Sequence, residues 1–324
     1  MFAEDEVIAA MVGVVVLNYG TFDDVITCIA SVKEKVKYPN YRIYVVDNDS
    51  PDDSFERLTE YYFADDDVVV ISSQQNGGYS FGNNVGIKRA QCDGAQKILV
   101  LNPDVVFLND VVSLLSDALA NNPNVAIVGP RAIGPNGGDV GFIRKNYSVK
   151  FAIFDRKPLT GLARLFPQLD IYYRYPLDES RVFEGMVSGC CFMVETRLFF
   201  DLGLFDEEVF LYAEEYILGL KLHKRGLLSM YYPQARIIHN HGSSTKGTSS
   251  AFVNFHRYRS AFYTLVNYCE GKRWQKRLVR YQLVALYATR SLLDAGYRQR
   301  LPLLIRDLRE IEDAQERLKS SQNN

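Results

Sequence analysis

Short apolar segments alternate with amphipathic stretches along the first 130 residues. The apolar segments have the length and composition of buried strands, and they lie at Val14–Asn18, Arg42–Asp47, Val68–Ser72 and Lys97–Leu101. The stretches between them begin with polar capping residues and predict helices over Asp23–Lys37, Asp52–Phe63 and Ser80–Gln91. This alternation predicts a Rossmann-like α/β fold with a mainly parallel central sheet and flanking helices.

The pattern loosens after Pro130, where GPNGG at Gly134–Gly138 predicts a turn and 141–184 predicts a long, partly mobile connection. Further elements are predicted as strands at Gly185–Glu195, Leu227–Tyr232 and Ala235–His239 and helices at Thr196–Leu202 and Ala213–Arg225. From about Ser249 the sequence predicts helix to the end. We therefore expect a main domain over 1–248 and a C-terminal helical appendage over 249–324.

Composition limits the cellular setting. The five cysteines are odd in number and lack metal-type spacing, which favours a reducing compartment. The first ten residues lack the pattern of a signal peptide, and no apolar run reaches the ~18–20 residues of a membrane span. These features predict a cytoplasmic protein.

Charge is distributed unevenly along the chain. The net charge is −2, but His256–Arg300 contains ten Lys/Arg and two Asp/Glu and so carries +8. Basic residues of this segment alternate with Trp274, Leu278 and Val279. This pattern is typical of a helix at an anionic membrane surface, and it equally fits a helix that packs on the main domain or forms a homodimer. Because the rest of the chain is acidic, nucleic-acid binding is disfavoured.

Three polar clusters follow predicted strands: Asp47–Asp52, Asn76–Gly78 with Gly82–Asn84, and Asn102–Asp104. Any one of them is explained by helix caps or turns. Together they predict a ligand site, since the carboxyl ends of parallel strands meet at one sheet edge. Asp104, on a turn stiffened by Pro103, suits Mg²⁺ or Mn²⁺, although it could also cap the next helix.

Two further clusters carry groups with catalytic or ligating chemistry. The acidic, aromatic-flanked segment Phe205–Glu215 could place a carboxylate as a general base in a cleft, or simply begin a solvated helix. His239 and His241 follow a predicted strand at a spacing that directs both side chains to the same face. Either histidine could bind a metal or a diphosphate, or lie on the surface.

These clusters, in this order, resemble the inverting glycosyltransferases of family 2 with the GT-A fold, and most nearly the rhamnosyltransferase-like enzymes of bacterial surface polysaccharide synthesis. The matching segments are VVVLNYG (14–20), IYVVDNDSPDDS (43–54), NGGYSFGNNVGIKRA (76–90), LVLNPDVVF (99–107), the segment 188–226, and IIHNHGSS (237–244). Together they cover most of residues 12–245, and their combination is specific although no single segment is.

The resemblance implies roles for individual residues. Donor binding falls to Tyr19, Asp47, Asn76, Gly77, Asn84 and Asn102. Asp104 stands in the place of the family's metal-binding acidic motif, and His239 is expected near the metal or diphosphate. Glu215 falls at the position of the catalytic base, with Glu214 beside it. The implied partners are a nucleotide-sugar donor (dTDP-rhamnose first, UDP-sugars next) and a glycan or lipid-linked glycan acceptor at the inner face of the membrane.

The acidic motif departs from the family pattern. The base is a Glu where the family has Asp, Ile217 replaces a later acid, and Lys221 replaces an Arg. One alternative is therefore a nucleotide-sugar-binding protein with impaired catalysis. A sugar-1-phosphate nucleotidyltransferase is disfavoured because LNYGTFDD lacks a Gly-rich, Arg-containing loop. A dinucleotide oxidoreductase is disfavoured because NGGYSFGNN lacks GxGxxG spacing.

Overall fold

The computed structural model describes residues 9–140, 143–154, 176–240 and 249–322. The N-terminal eight residues, His241 and most of the predicted connection over 141–184 lie outside the described residues.

A central mixed sheet organises the part of the chain that the structure describes. Its strands are β1 (Val12–Asn18), β2 (Tyr41–Asp47), β3 (Val68–Ser72), β4 (Lys97–Leu101), β5 (Val105–Phe107), β6 (Val125–Ile133), β7 (Arg181–Phe183), β8 (Cys191–Glu195) and β9 (Leu228–His239). The order is β3-β2-β1-β4-β8-β6-β9-β5, with β7 paired to β9. The parallel pairs are β1–β2, β2–β3, β1–β4 and β6–β9. The antiparallel pairs are β4–β8, β6–β8, β5–β9 and β7–β9.

Helices lie around this sheet. They are α1 (Phe22–Lys35), α2 (Ser54–Tyr61), α3 (Gly78–Cys92), α4 (Val111–Ala120), α5 (Val149–Phe154), α6 (Thr196–Asp201), α7 (Glu214–Lys224), α8 (Ser250–Tyr268), α9 (Arg273–Ser291) and α10 (Ala295–Gln322). The predicted Rossmann-like α/β architecture with a C-terminal helical segment is confirmed. Among the described helices, none combines the length and apolar character needed to cross a bilayer.

The sequence-based prediction of strands and helices was wrong in three places. The predicted strand Gly185–Glu195 is regular only from Cys191 onward. The two predicted closing strands are one strand, β9, whose pairing with β6 shifts register after Tyr232, so that the residues around Pro233 bulge. Helix α4 and strands β5 and β6 were not predicted, although VAIVGP within β6 is an apolar run.

Helix α3 packs unusually close to the sheet. A Cβ atom on Gly86 would lie 2.6 Å from Val15 and 2.8 Å from Val46, and one on Gly82 would lie 2.3 Å from Leu17. Only glycine therefore allows this approach. The contact places the N-terminus of α3 beside the carboxyl ends of β1 and β2, where the polar clusters lie.

The C-terminal helices share a hydrophobic core with the main domain. Phe262, Leu265 and Leu283 of this segment pack in the same buried cluster as Phe151 of α5 and Leu220 of α7. Burial of this apolar surface holds the appendage against the main domain. The C-terminal helices therefore share a buried cluster with α5 and α7, and the division at residue 248 stays a prediction.

The basic residues of α9 pair with acids inside the protein. Glu312 of α10, which is buried, accepts hydrogen bonds from Arg277 and Arg280 at 2.8 and 2.5 Å. Arg273 pairs with Glu316. These pairs reduce the charge available to an anionic membrane, so the membrane contact stays a prediction, as does the homodimer.

Candidate active site

The ends of β1 and β2 are joined by buried polar side chains. The Asp47 carboxylate accepts hydrogen bonds from Asn18 Nδ2 at 2.7 Å and from the Ser50 hydroxyl at 2.6 Å. Ser50 in turn accepts from the backbone of Gly20 at 2.9 Å. Asp47 is 2% exposed, so it holds the two loops together and positions Tyr19 at the edge of the sheet.

A second network joins the ends of β2 and β3 to α3. Asn48 Nδ2 donates to Asn76 Oδ1 at 3.1 Å and to the Gly78 carbonyl at 3.2 Å. The backbone N–H of Gly78 donates to the same Asn76 oxygen at 3.1 Å. Gly78 has φ +85°, and a Cβ there would lie 2.1 Å from the Phe210 carbonyl oxygen. The loop containing Asn76 and Gly77 is therefore clamped between β2 and the 205–212 segment.

Tyr79 links the polar clusters. Its backbone N–H donates to Phe210 at 2.9 Å, and its hydroxyl lies 3.1 Å from the Gly189 carbonyl and 3.3 Å from Asn102 Oδ1. Burial, followed by the charges of Glu214 and Glu215, raises the pKa of Tyr79 well above its usual value. The hydroxyl therefore remains a proton donor at neutral pH.

Asp104, two residues after Asn102, is in contact with His239. Nε2 of His239 lies 3.2 Å from Oδ1 of Asp104, and both side chains are buried. Burial lowers the pKa of His239, but hydrogen bonds with Asp104 and Cys190 outweigh it and raise the pKa to about 10. Strand pairing explains the contact, since Val105 lies opposite His239 in the β5–β9 ladder.

This pair suits a cation that is shared with a ligand. The described residues contain no cluster of three or more His, Cys, Asp or Glu side chains able to hold a metal ion. Mg²⁺ and related ions are commonly held by one or two carboxylates plus substrate phosphates. Asp104 fits that pattern, and a cation that also contacted His239 would replace the proton that the histidine carries.

The acid pair, Glu214 and Glu215, begins helix α7. Tyr212 and Ala213 immediately before it have φ of 68° and 74°, a left-handed conformation that costs energy for residues with a Cβ. Burial, followed by repulsion from Glu215, raises the pKa of Glu214 to about 8. Glu215 packs over Gly189, where an added Cβ would lie 2.7 Å from its Cγ. The strained turn thus directs two carboxylates toward one region.

The structure explains two departures from the family's acidic motif. Ile217 is 1% exposed and belongs to the core, where a carboxylate would be desolvated. The Lys221 ammonium donates to the carbonyl of Leu204 at 2.7 Å and contacts that of Gly203 at 3.3 Å. Leu204 itself has φ 53°, so Lys221 stabilises a strained turn. Both residues have structural roles that do not involve Glu215.

Two cavities meet at this site. The smaller, of about 450 Å³, lies at the ends of β1–β3 and is lined by Tyr19, Asn48 and Asn76. The larger, of about 680 Å³, contains Glu214, Glu215 and His239. Both are lined by Tyr79, Asn102 and Leu211. The arrangement provides two adjoining cavities with a shared boundary.

Two predicted donor-binding residues, Asn84 and Gly77, have structural roles within the protein. Asn84 is 2% exposed, and its side chain donates to the carbonyl of Phe205 at 3.0 Å and to Glu207 at 2.8 Å. It therefore holds the segment that precedes the acid pair. Gly77 has no side chain, and a Cβ atom added there would lie 2.4 Å from the ring of Phe81. For both, a direct donor contact stays a prediction.

The C-terminal helices supply wall residues that sequence reasoning missed. The smaller cavity includes Ser249, Phe252 and Arg300, and the larger includes Asn254, Arg257, Tyr258 and Arg290. Asn48 and Tyr79 were also missed as site residues, although they lie in segments that carried the resemblance. The helical residues belong to no recognisable motif. Their place in the site depends entirely on how the helices fold back.

Comparison with known proteins agrees with this geometry. The family model described as "Glycosyl transferase family 2" matches residues 12–199, more than half of the chain. The chain belongs to this family. A solved structure, that of GalNAc-T7 with UDP, GalNAc and Mn²⁺, aligns with a TM-score of 0.58 at 18% identity, covering 78% of this chain and 47% of that chain. The fold is GT-A.

Two curated relatives are named for sugar transfer. The N-acetylglucosaminyl-diphospho-decaprenol L-rhamnosyltransferase of Mycobacterium tuberculosis is 28% identical over 204 residues, which are 60% of this chain and 62% of that protein. The low-salt glycan biosynthesis hexosyltransferase of Haloferax volcanii is 23% identical over 286 residues, which are 88% of this chain and 82% of that protein. The first match thus spans less than two thirds of that relative.

Proposed function

We propose that the protein is an inverting glycosyltransferase that moves a sugar from a nucleoside-diphosphate donor to a hydroxyl of a glycan or lipid-linked glycan. The observation that carries this proposal is the meeting of two cavities at Tyr79 and Asn102. One contains the loops at the strand ends, and the other contains the acid pair. A donor and an acceptor bound in the two cavities would approach each other at the shared boundary.

The donor nucleotide would occupy the smaller cavity. The aromatic side chains of Tyr19, Phe210 and Phe252 line it and offer faces for a base. Asn48 and Asn76 supply amide groups, and Arg300 supplies a positive charge for phosphate oxygens. Because dTDP-rhamnose and UDP-sugars share a pyrimidine diphosphate, the nucleotide would bind in the same way. The relative's name favours rhamnose as the sugar.

Asp104 and His239 would hold Mg²⁺ or Mn²⁺ together with the donor diphosphate. The cation, when bound, neutralises charge that develops on the leaving diphosphate. Tyr79 and Asn102, at the boundary between the cavities, would orient the transferred sugar. The Tyr79 hydroxyl donates to Asn102 Oδ1 at 3.3 Å, so the two side chains support each other.

Glu215 would accept the proton of the acceptor hydroxyl as this oxygen attacks the anomeric carbon from the face opposite the diphosphate. Glu214, beside it and buried, would hold a proton near neutral pH and so limit the negative charge in the cavity. A single displacement requires no covalent enzyme intermediate. The stereochemical result is inversion.

A direct test is to incubate the protein with dTDP-rhamnose or UDP-sugars, Mn²⁺ and a panel of glycan acceptors. We expect release of the nucleoside diphosphate together with a new glycoside, whose anomeric configuration by NMR is opposite to that of the donor. Retention of configuration would rule out the single displacement. Tight nucleotide binding without transfer to any acceptor would instead favour the nucleotide-sugar-binding alternative.

A further inference from the structure

The turn between α9 and α10 carries the two leucines with the highest exposure among those that the structure describes. Leu292 is 76% exposed and Leu293 is 93% exposed. They directly follow Ser291, the last residue of α9, and α10 begins at Ala295. Single exposed leucines are common on protein surfaces. Two adjacent leucines at the end of a helical hairpin instead form a protruding apolar point, here called the leucine tip.

Hydrogen bonds hold the turn beneath the leucine tip in one conformation. The Asp294 carboxylate accepts from the backbone N–H of Gly296 at 2.7 Å and of Tyr297 at 3.3 Å, so it caps α10. Tyr297 is buried, and its hydroxyl donates to the Ser250 carbonyl at 3.1 Å. The exposure of the two leucines is therefore a feature of the folded hairpin, and little ordering is needed when a surface binds them.

Positive charge surrounds the leucine tip. Residues 290–300 contain three arginines, Arg290, Arg298 and Arg300, and one acid, Asp294, and so carry a charge of +2. The Asp294 carboxylate is already used as a helix cap. Among the described residues, no carboxylate lies within 4.0 Å of these three guanidinium groups. Nε of Arg298 donates to the Ser291 carbonyl at 3.3 Å, which keeps its charge beside the two leucines.

The opposite end of α9, which carries the basic pattern seen in the sequence, differs in charge. Trp274 and Leu278 are exposed there, at 60% and 40%. The neighbouring arginines, Arg273 and Arg277, pair with acids of α10. The positive charge of these two arginines is therefore compensated within the protein, whereas the charge around the leucine tip is available to a ligand.

We propose that the leucine tip docks on an anionic phospholipid bilayer, where Leu292 and Leu293 enter the headgroup region and Arg298 contacts lipid phosphates. Reversible membrane binding commonly combines an apolar insertion with basic residues beside it. Arg290 lines the larger cavity and Arg300 the smaller one, so this contact would bring both cavities close to the bilayer. The proposal does not depend on the proposed function, because adsorption to lipid needs neither a donor nor an acceptor.

A second copy of the chain is a less suitable occupant of the leucine tip. Two leucine side chains expose far less area than the roughly 800 Å² per partner that a stable dimer buries. A lipid surface needs no complementary shape, and its phosphates attract the arginines. Light scattering of the protein without lipid distinguishes the two occupants.

The first experiment measures co-sedimentation with vesicles of phosphatidylcholine and phosphatidylglycerol, and with vesicles of phosphatidylcholine alone. The test variant is the double substitution Leu292→Ser and Leu293→Ser. The matched control is Leu278→Ser and Leu318→Ser, because these leucines are 40% and 57% exposed. Leu318 lies about 35 Å along α10 from the tip, at a helical rise of about 1.5 Å per residue. Circular dichroism establishes that both variants are folded.

We expect the wild-type protein to bind the anionic vesicles and the tip variant to bind them at least about tenfold more weakly, because two apolar insertions are lost. The control variant should match wild type. Absence of vesicle binding, equal binding to both lipids, or equal loss in the two double variants would each overturn the proposal. A lipid-free dimer that forms in wild type and not in the tip variant would assign the leucines to a second copy instead.

Two further measurements locate the contact on the hairpin. Arg298→Gln should weaken vesicle binding about fivefold, the effect of one arginine near an anionic surface, whereas Arg273→Gln removes a paired arginine and should have little effect. Trp274 is the only tryptophan of the chain and lies at the opposite end of α9. Its fluorescence emission should not shift when vesicles bind. A blue shift would place that end of α9 in the lipid and overturn the assignment to the leucine tip.

Discussion

The imidazole of His239 and the carboxylate of Asp104 face each other at the edge of the sheet, with Nε2 3.2 Å from Oδ1. The two residues are brought together by the antiparallel pairing of β5 with β9. Both are buried. This contact places a carboxylate and an imidazole side by side, at the position where we propose that a cation and the donor diphosphate bind.

Replacing Asp104 with Ala should abolish the metal-dependent part of nucleotide binding. Without the carboxylate, His239 is the remaining protein ligand of this pair, and a cation held through substrate phosphates loses its anchor. We expect Mn²⁺ to strengthen dTDP or UDP binding in wild type and to have less than about a tenth of that effect in the variant. Calorimetry with and without Mn²⁺ measures this. Asp117→Ala, at an exposed position on α4, is the control. Equal Mn²⁺ dependence in both variants would remove Asp104 from the metal site.

Replacing Glu215 with Gln should lower kcat for transfer by roughly 10²–10⁴-fold while donor affinity stays within a few-fold of wild type. The amide keeps the shape over Gly189 but cannot accept the acceptor's proton. Steady-state kinetics and nucleotide titration separate the two effects. Glu208→Gln, in the same acidic segment and exposed, should retain full kcat. Unchanged turnover in Glu215→Gln would disprove its assignment as the base.

Replacing Glu214 with Gln should stabilise the protein increasingly as pH rises. In wild type, burial raises the pKa of Glu214 from its ordinary value of 4.5 to about 8. Below about pH 4.5 the carboxyl is protonated in folded and unfolded states, so it costs nothing. Between 4.5 and 8 the unfolded chain loses the proton more readily, and the folded state is penalised. The variant should gain on the order of 2–4 kcal/mol above pH 8.

Thermal unfolding of the Glu214→Gln variant and wild type at pH 5 and pH 8.5 tests this prediction. The difference in Tm should be small at pH 5 and large at pH 8.5. Glu208→Gln provides the exposed control, with no pH-dependent gain. A difference that is the same at both pH values would show that Glu214 titrates equally in the folded and unfolded states.

Replacing Gly78 with Ala should cost more stability than a positive φ alone explains. Gly78 has φ +85°, and a Cβ would come within 2.1 Å of the Phe210 carbonyl. Gly94 has φ +95° with nothing within 4 Å of an added Cβ. We expect about 1 kcal/mol of destabilisation for Gly94→Ala and about 3 kcal/mol or more for Gly78→Ala. Denaturant unfolding measures both values. Equal losses would show that the loop moves to admit the methyl group.

The elements of the first half of the sheet could be predicted from the sequence. Strands β1, β2 and β4 are buried on both faces, so each is a nearly uninterrupted apolar run. The polar residues that follow them could be placed at one edge because parallel strands share a direction. Asp104 could therefore be predicted as a candidate ligand at this edge, and it does contact His239. Glu215 was singled out by the resemblance to the family.

Other features depended on contacts between distant parts of the chain. The bulge that makes β9 continuous arises from its pairing with β6, and periodicity along one strand does not report its partner. The basic pattern of α9 fitted a helix at a membrane surface and a helix packed on the main domain equally well. The acids that pair with it lie on α10, and only the folding of one helix onto the other brings them together.

The sequence by itself determined the α/β class, the family and the residues that could hold a metal or accept a proton. These follow from local burial patterns and from motifs that lie within short segments. The tertiary structure decided which side chains enclose the two cavities. Arg257, Arg290 and Arg300 belong to helices with no motif, and they reach the site because an apolar core packs those helices against α5 and α7. That packing is a long-range contact, which neither composition nor periodicity specifies.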